Sequence, residues 1–288
     1  IFEHLGVAQA ILDTRASAYR RMQIWDANSD AHIEFDADDV NRDHLGLILE
    51  NDLIIYSLRE FIDNCPEIDI LPLSLDSITR RTDGIQIELA NTSLLSRLLV
   101  GADGQHSRVR SLAGIPTDMG LFNQTALVCR IATELAHEQT AFQCFHHSGP
   151  IAYLPLADGS SSIVWSCDSD KVQPLMRLDE TGFAAAVEEA MQARLGKVEL
   201  LSQRGAFPLA QQHASRYVES RIALIGDAAH RTHPLAGLGA NLGLQDAAAL
   251  AETIERSIAG NRPFYSQATL RKYERIRRHQ NALILDAM

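Results

Sequence analysis

The chain has 288 residues and is 46% hydrophobic, so it is long enough to bury a substantial core in one large domain or two ordinary ones. Its formal net charge of −11 argues against nucleic acid as a partner, because phosphate binding needs a concentrated basic face. No stretch approaches the roughly 18 apolar residues of a membrane span and no signal peptide is visible, which predicts a cytoplasmic protein.

In chain order, residues 1–120 are predicted to mix helices with short strands. Apolar positions at helical spacing favour a helix, alternation or a short apolar run favours a strand, and Gly, Asn and Asp clusters mark turns. The predicted elements are a helix over 1–20, a hairpin of strands 21–26 and 31–36, a strand over 44–49, a helix capped by Asn51 or Asp52, and strands over 70–78, 85–89 and 94–100.

The rest of the chain is predicted to form an antiparallel sheet followed by a strand and two long helices. The predicted strands cover 125–132, 141–146, 151–156, 161–167 and 221–225, and the helices cover 179–195, 244–258 and the residues from 264 onward. The last helix carries a run of basic residues, namely Arg271, Lys272, Arg275, Arg277 and Arg278. Such a run usually marks a solvated face, and contact with anionic lipid is the alternative.

No metal site or disulfide is predicted. The four cysteines show no C-x-x-C spacing and are expected to be reduced thiols: Cys65, Cys129, Cys144 and Cys167. His230 and His233 are three residues apart, but no cluster of carboxylates or thiols accompanies them. Packing around a loop explains these two histidines without a metal.

The most informative stretch follows the apolar strand 221–225. Gly226 lets the backbone turn, and Asp227 then places a carboxylate at the carboxyl end of the strand, where it suits a ribose hydroxyl. No residue from 234 to 244 is charged, and the glycines there allow close backbone approach to a flat ligand. The N-terminus of the helix that follows would favour negative charge on that ligand.

This stretch resembles the second flavin-binding motif of the FAD-dependent aromatic-ring hydroxylases, in particular the branch that hydroxylates ubiquinone precursors. The matching residues are Gly226-Asp227-Ala228-Ala229-His230, His233-Pro234, Gly237-Leu238-Gly239, Asn241, Gly243 and Asp246. Upstream, residues 101–110 resemble the other internal motif of that superfamily, D-G-x-x-S-x-x-R, and shorter similarities lie at 154–156, 164–166 and 207–209. The resemblance therefore spans nearly the whole chain.

Two features depart from the family pattern. The family usually has Gln where this chain has Leu238, so one polar contact of the loop differs. The sequence contains no G-x-G-x-x-G and starts at Ile1, inside what resembles the helix after that glycine loop. A fragment at both ends is therefore expected, and the isolated chain is expected to hold no stoichiometric FAD, because the glycine loop binds the pyrophosphate in dinucleotide folds.

The resemblance implies an α/β fold in which an incomplete Rossmann-like FAD-binding domain with a parallel sheet is interleaved with an antiparallel-sheet substrate domain. The implied boundaries are 1–120 and 211–288 for the cofactor domain and 121–210 for the substrate domain. The implied cofactor-binding residues are Asp103, Gly104, Arg110, Gly226, Asp227, Pro234, Gly237, Leu238, Gly239, Ala240 and Asn241. The implied walls of the substrate pocket are Phe145, Tyr153, Leu154, Pro155 and Trp165.

The implied activity is hydroxylation of an aromatic ring of a prenylated phenol with NAD(P)H, O₂ and FAD. No catalytic side chain is expected, because the cofactor carries the chemistry, although Glu50, Asn51 and His233 are candidate polar groups near the substrate or the flavin. The implied partners are the small aromatic substrate, the inner-membrane surface and other quinone-biosynthesis proteins. The alternatives are a non-catalytic assembly subunit of the same fold and another flavin-dependent oxidoreductase, such as a reductase or halogenase.

Overall fold

The computed structural model of the chain describes residues 1–232 and 237–286. Its helices are α1 (Ala8–Arg15), α2 (Asn51–Asp63), α3 (Arg108–Leu112), α4 (Ser169–Arg177), α5 (Glu180–Ala190), α6 (Leu238–Ala259) and α7 (Gln267–Asp286). Its strands are β1 (Ser17–Tyr19), β2 (Arg21–Asp26), β3 (His32–Asp36), β4 (Gly46–Ile48), β5 (Leu75–Arg80), β6 (Ile85–Leu89), β7 (Thr92–Ser96), β8 (Leu99–Gly101), β9 (Thr117–Thr133), β10 (Thr140–His146), β11 (Gly149–Pro155), β12 (Ser161–Asp168), β13 (Val198–Leu200), β14 (Gly205–Ala214), β15 (Val218–Glu219), β16 (Ile222–Leu224) and β17 (His230–Arg231).

These elements form two compact units that alternate along the chain. The first unit comprises residues 1–69 and 123–209, and the second comprises residues 70–122 and 210–288. The unit boundaries near 122 and 209 lie close to the expected boundaries at 120 and 210. Residues 1–69, which were predicted to lie in the cofactor domain with residues 70–120, belong instead to the same compact unit as the middle sheet.

The first unit is built on a sheet in which β9, β12, β11, β10, β2 and β3 lie side by side. Its pairs are antiparallel except for β10 and β2, which are parallel. Helices α4 and α5 contribute Val172, Phe183 and Val187 to a core with one face of this sheet. Because successive side chains of a strand alternate between faces, only half of each strand contributes to that core.

The second unit contains a small sheet of β15, β16 and β8, with β16 parallel to β8. Its strand β16 is completely buried, as expected for an apolar strand of a parallel sheet. A separate antiparallel sheet of β5, β6 and β7 lies in the same unit, and its Ile85 and Ile87 join the core that β16 forms with Leu250 of α6. This arrangement confirms the predicted mixed α/β fold.

Most predicted elements are present, but several bounds are wrong. The helix predicted over 1–20 covers only Ala8–Arg15, because the chain then turns into strand β1. Helix α2 begins at Asn51 with Glu50 as its N-cap residue and no side-chain cap, so a cap from Asn51 or Asp52 was wrong. Helix α4 was missed, since it is short and contains Pro174 in its interior. Among the described residues, no helix is long and apolar enough to cross a membrane.

Candidate functional site

The loops of the two sequence motifs begin at the same edge of the second unit's parallel sheet. Strand β16 pairs with β8 so that Leu224 lies opposite Gly101, and the N–H of Ile225 donates to the carbonyl oxygen of Gly101 at 3.0 Å. Both strands therefore end side by side, and the loops that begin at Ala102 and Gly226 start at neighbouring positions. In open α/β sheets this edge is where ligands bind.

Asp227 lies directly after β16 and is exposed. Its carboxylate makes no hydrogen bond or ion pair with residues 1–232 or 237–286. A carboxylate at a strand end that has no hydrogen-bond partner in the surrounding protein can accept hydrogen bonds from a ligand. The ribose contact predicted from the sequence requires such a free carboxylate at this position, and it stays a prediction.

Two glycines bring the turn after β16 against helix α6. Gly226 has a φ of +58°, in the left-handed region that favours glycine, and a Cβ on Gly243 would lie 3.2 Å from the Cα of Gly226. A side chain at 243 would require the turn to shift by a few tenths of an ångström, whereas Gly226 is needed for its φ, because a Cβ there would lie at an ordinary 3.6 Å from the Cα of Gly243. The glycine at 243 therefore serves backbone packing, while Gly237 and Gly239 have open space or only ordinary contacts beside them.

The N-terminal turn of α6 presents backbone N–H groups that have no side-chain cap among the described residues. The helix begins at Leu238, and Gly237 precedes it with a φ of +61° and no side-chain cap within the described residues. Ala240 and Asn241 in this first turn are exposed. An uncapped helix N-terminus favours a negatively charged ligand. His233 and the predicted cofactor residue Pro234 lie outside the described residues.

A buried hydroxyl lies beside this turn. Thr232 is 8% exposed, and its Oγ1 has no hydrogen-bond partner among the residues that the structure describes. A Cβ on Gly239 would lie 3.7 Å from that oxygen, so the hydroxyl is adjacent to the first turn of α6. Because buried polar groups are normally hydrogen-bonded, this oxygen fits the edge of a polar ligand. Sequence reasoning had not singled it out.

Asp103 and Gly104 shape the loop after β8. Oδ1 of Asp103 accepts from the Ser107 hydroxyl at 2.5 Å, and Oδ2 accepts from the N–H groups of Arg108 and Val109 at 2.7 and 3.0 Å. Burial by itself would raise the pKa of Asp103, but these hydrogen bonds hold it below its ordinary value. Gly104 has a φ of +78°, which permits the turn into α3.

Arg110 joins the two motif loops. Its guanidinium donates to the carbonyl oxygen of Ala228 at 2.9 Å and to that of Gln105 at 2.8 Å. With the amide oxygen of Gln212 turned toward it, the same guanidinium also donates to that side chain at 2.8 and 3.0 Å. Protein groups therefore engage both the Asp103 carboxylate and the Arg110 fork, which position the loops around the strand ends.

A buried charge network lies behind the turn, centred on Asp246 of α6. Its Oδ2 accepts from the Gly226 N–H at 3.0 Å and from His230 Nε2 at 2.5 Å, and its Oδ1 accepts from Arg277 Nε at 2.7 Å. Burial by itself would raise the pKa of Asp246, but these donors lower it below the ordinary value, so the group is ionised at neutral pH. Since an ionised carboxylate only accepts, Nε2 of His230 carries the proton.

This network corrects the prediction that Arg277 belongs to a solvated basic run. Arg277 is 4% exposed, whereas its neighbours Arg275 and Arg278 are exposed. The spacing of Tyr273, Arg277 and Asn281 along one helical stripe was the available signal, but a polar stripe alone does not reveal its burial.

The predicted walls of the substrate pocket fall on two faces of the first unit's sheet. Tyr153 and Trp165 lie in the core that α4 and α5 cover, with exposed fractions of 1% and 9%. Pro155 alternates with Leu154 and is buried on the same face as Tyr153. Phe145 and Leu154 lie on the opposite face and are partly exposed. Strand alternation thus leaves two of the five predicted side chains available to a substrate.

Leu154 lines a cavity of about 350 Å³ in the first unit. Glu50, one of the candidate polar groups, is also in its wall and pairs with Arg15 at 3.1 Å. The other lining residues are Ile48, Leu49, Arg130, Leu156 and Ser162. The cavity therefore combines apolar walls with one acidic and two basic side chains.

Within residues 1–232 and 237–286, two parallel strands end side by side, the Asp227 carboxylate has no protein partner, and α6 begins without a side-chain cap close to the turn at Gly226. This arrangement is typical of an α/β protein that binds a dinucleotide cofactor. Residues 75–287 match the model of the FAD-binding domain family. The chain belongs to this family and is an FAD-dependent monooxygenase.

Similar proteins agree with this assignment. The chain is 34% identical to the ubiquinone biosynthesis monooxygenase COQ6, mitochondrial, of Xenopus tropicalis, over 98% of the chain and 70% of that protein. It is 32% identical to the 3-demethoxyubiquinol 3-hydroxylase of Escherichia coli (strain K12), over 100% of the chain and 74% of that protein. A similar fold occurs in PqsL of Pseudomonas aeruginosa, described as "a probable FAD-dependent monooxygenase", with a TM-score of 0.83, 22% identity and coverage of 99% and 80% of the two chains.

Proposed function

We propose that this protein hydroxylates the aromatic ring of a prenylated ubiquinone precursor, with FAD as cofactor and NAD(P)H and O₂ as co-substrates. The observation that carries the FAD site is the meeting of both motif loops at one sheet edge, beside an exposed Asp227 that has no partner in the described part of the chain. The substrate class rests on the names of relatives such as the enzymes of Xenopus tropicalis and Escherichia coli.

The residues of the second unit fit FAD. Asp227 would accept from the ribose hydroxyls, the Thr232 hydroxyl would bond a polar edge, and the first turn of α6 would favour negative charge. Asp103 and Arg110, together with Gly104, would keep the two loops in place around the cofactor. When bound, FAD supplies the redox and oxygen chemistry, and the protein supplies binding, orientation and exclusion of water.

The assignment of Asp227 is tested by Asp227→Ala in the encoded full-length protein. We expect FAD binding to weaken by about 1.5 to 3 kcal/mol, the range for a hydrogen bond to a charged group. Quenching of flavin fluorescence during titration of the apoprotein measures the dissociation constant. Asp83→Ala is the matched control, because Asp83 is also an exposed aspartate in a turn of the second unit. An unchanged constant in Asp227→Ala would remove this carboxylate from the site.

We assign the substrate to the first unit, where the cavity beside Leu154 offers apolar side chains to a prenyl chain and charged side chains to the polar ring substituents. We expect a hydrophobic prenylated phenol to stimulate NAD(P)H oxidation, with matching formation of hydroxylated product, more strongly than a small polar benzoate. Substrate-dependent NAD(P)H consumption and product mass measure this preference. Preference for the benzoate would contradict the substrate class, and product-free oxidation with every phenol would favour another flavin-dependent oxidoreductase.

We also propose peripheral contact with an anionic membrane surface through the basic face of α7. This face comprises the exposed residues Arg271, Lys272, Arg275 and Arg278. Exposed Ile276 and Leu283 lie on the same helix, with 48% and 59% of their surface accessible. A basic surface with neighbouring apolar side chains suits anionic lipid, and in a chain with a net charge of −11 it stands apart from the overall acidity.

A further inference from the structure

We propose that the buried stripe of α7 formed by Tyr273, Arg277 and Asn281, acting with Asp246, is a positioning clamp that sets the place of the Asp227 carboxylate. Nothing in the motif resemblance assigns a role to these α7 residues. The inference rests on the proposed FAD site, because it concerns the residue that would hold the ribose.

The first contact of the clamp is on the strand that precedes Asp227. The hydroxyl of Tyr273 donates to the carbonyl oxygen of Leu224, the last residue of β16, at 2.6 Å. Tyr273 is fully buried. Only Ile225 and Gly226 separate this anchored carbonyl from Asp227, so the hydroxyl fixes the strand just before the turn.

The second contact acts on the turn itself through Asp246. The Gly226 N–H, adjacent to Asp227, donates to Asp246 Oδ2, while the opposite oxygen of that carboxylate accepts from Arg277 and, at 3.2 Å, from Asn281. Asp246 and Asn281 are fully buried. The carboxylate is therefore oriented by α7 on one side and holds the turn on the other.

Several hydrogen bonds hold the guanidinium of Arg277 in one orientation. Besides Asp246, its guanidinium donates to the side chains of Gln245, Gln280 and Asn281 at 3.1, 2.7 and 2.9 Å, and to the Leu242 carbonyl oxygen at 3.4 Å. Arginine presents five donors in a rigid planar fork, and here both helices α6 and α7 supply acceptors for it. The guanidinium therefore ties α7 to Asp246 and to the preceding α6 residues Leu242 and Gln245.

Packing alone does not require these groups. A buried ion pair pays for the desolvation of both charges, and apolar residues of similar volume often fasten helices at no loss of stability. Hydrogen bonds are directional, whereas apolar contacts are not. The bonds from Asp246 and Tyr273 therefore fix the positions of the Gly226 N–H and the Leu224 carbonyl oxygen. Within the described residues, the side chains that carry these bonds make no hydrogen bond or ion pair with Asp227, so they are positioning residues.

A double-mutant cycle tests this clamp. In the full-length protein, Arg277→Met is expected to raise the FAD dissociation constant about tenfold, but less than about twofold when Asp227→Ala is already present, because positioning matters only while the carboxylate is there. Arg277→Lys should recover part of the affinity. Flavin fluorescence quenching gives all four constants, and thermal unfolding of each apoprotein, followed by circular dichroism, separates affinity from stability.

Arg256→Met is the matched control, because Arg256 is an exposed arginine of α6 that pairs with Glu252 on the surface. If Arg277→Met does not fold, the same cycle is run with Tyr273→Phe, which removes one hydroxyl and should weaken binding about threefold. Equal losses with and without Asp227 would overturn the clamp and leave the FAD site standing. No loss from Asp227→Ala alone would overturn both.

Discussion

At the scale of single residues, burial distinguishes three of the four cysteines from the fourth. Cys129, Cys144 and Cys167 are buried in the first unit's core, and Cys65 is partly exposed. All four are free thiols in the structure. Burial raises the pKa of each of the three core thiols to about 11, since the thiolate loses its hydration there.

We therefore expect a thiol reagent to label Cys65 first among these four residues. At pH 8 a thiol with a pKa of about 11 is only about 0.1% thiolate, and the thiolate is the reactive species. Timed labelling with iodoacetamide, followed by peptide mass spectrometry, measures the four rates, and Cys65→Ser should remove the fast site. Labelling of Cys129, Cys144 or Cys167 at the rate of Cys65 in the folded protein would contradict their burial.

At the scale of elements, α7 has two faces with different roles. The stripe of Tyr273, Arg277 and Asn281 is buried against the second unit, while the basic face is exposed. Because residues four apart lie on the same side of a helix, one segment can contact the protein interior and present charge to a surface. The helix thereby connects the two proposals made for this unit, the FAD site and the membrane contact.

For the basic face we expect Arg271→Gln, Arg275→Gln and Arg278→Gln together to weaken binding to anionic vesicles about a hundredfold. Each basic side chain near an anionic surface contributes about 1 kcal/mol. Co-sedimentation with vesicles of phosphatidylglycerol and phosphatidylcholine measures the partition, and vesicles of phosphatidylcholine alone show the contribution of charge.

The matched control for this triple variant removes three other exposed arginines, through Arg42→Gln, Arg59→Gln and Arg81→Gln. It changes the net charge equally but leaves α7 intact. Equal loss of binding in both triple variants would show that overall charge matters and that the basic face of α7 has no special role.

At the scale of the whole molecule, the two units share the chain by crossing between them three times, near residues 69, 122 and 209. This interleaving explains why the FAD motifs at 101–110 and 226–246 are separated by a sheet that belongs to the other unit. The same interleaving places α2, which begins directly after Glu50, in the unit with the middle sheet. Sequence periodicity describes each segment but carries no information about which distant segment completes a unit.

The sequence by itself determined most of the elements and the family, although not helix α4 or the bounds of α1. Strand β16, the Gly226-Asp227 turn and helix α6 follow from a buried apolar run, a glycine and helical periodicity, all of which are local properties of the chain. The two motifs were specific because their residue types and order match a known cofactor site. The family model and the relatives confirmed that identification.

Only the tertiary structure decided what faces the ligand and what supports it. Arg277 reads in the sequence as one more surface cation, yet it is buried against Asp246, and Tyr153 reads as a pocket wall, yet it lies in the core. The difference arises because a side chain's role depends on which distant element covers it, and strand alternation or helical position leaves two faces equally available. Tyr153 is buried because α4 and α5 cover its face of the sheet, and Arg277 is buried because α6 covers its face of α7.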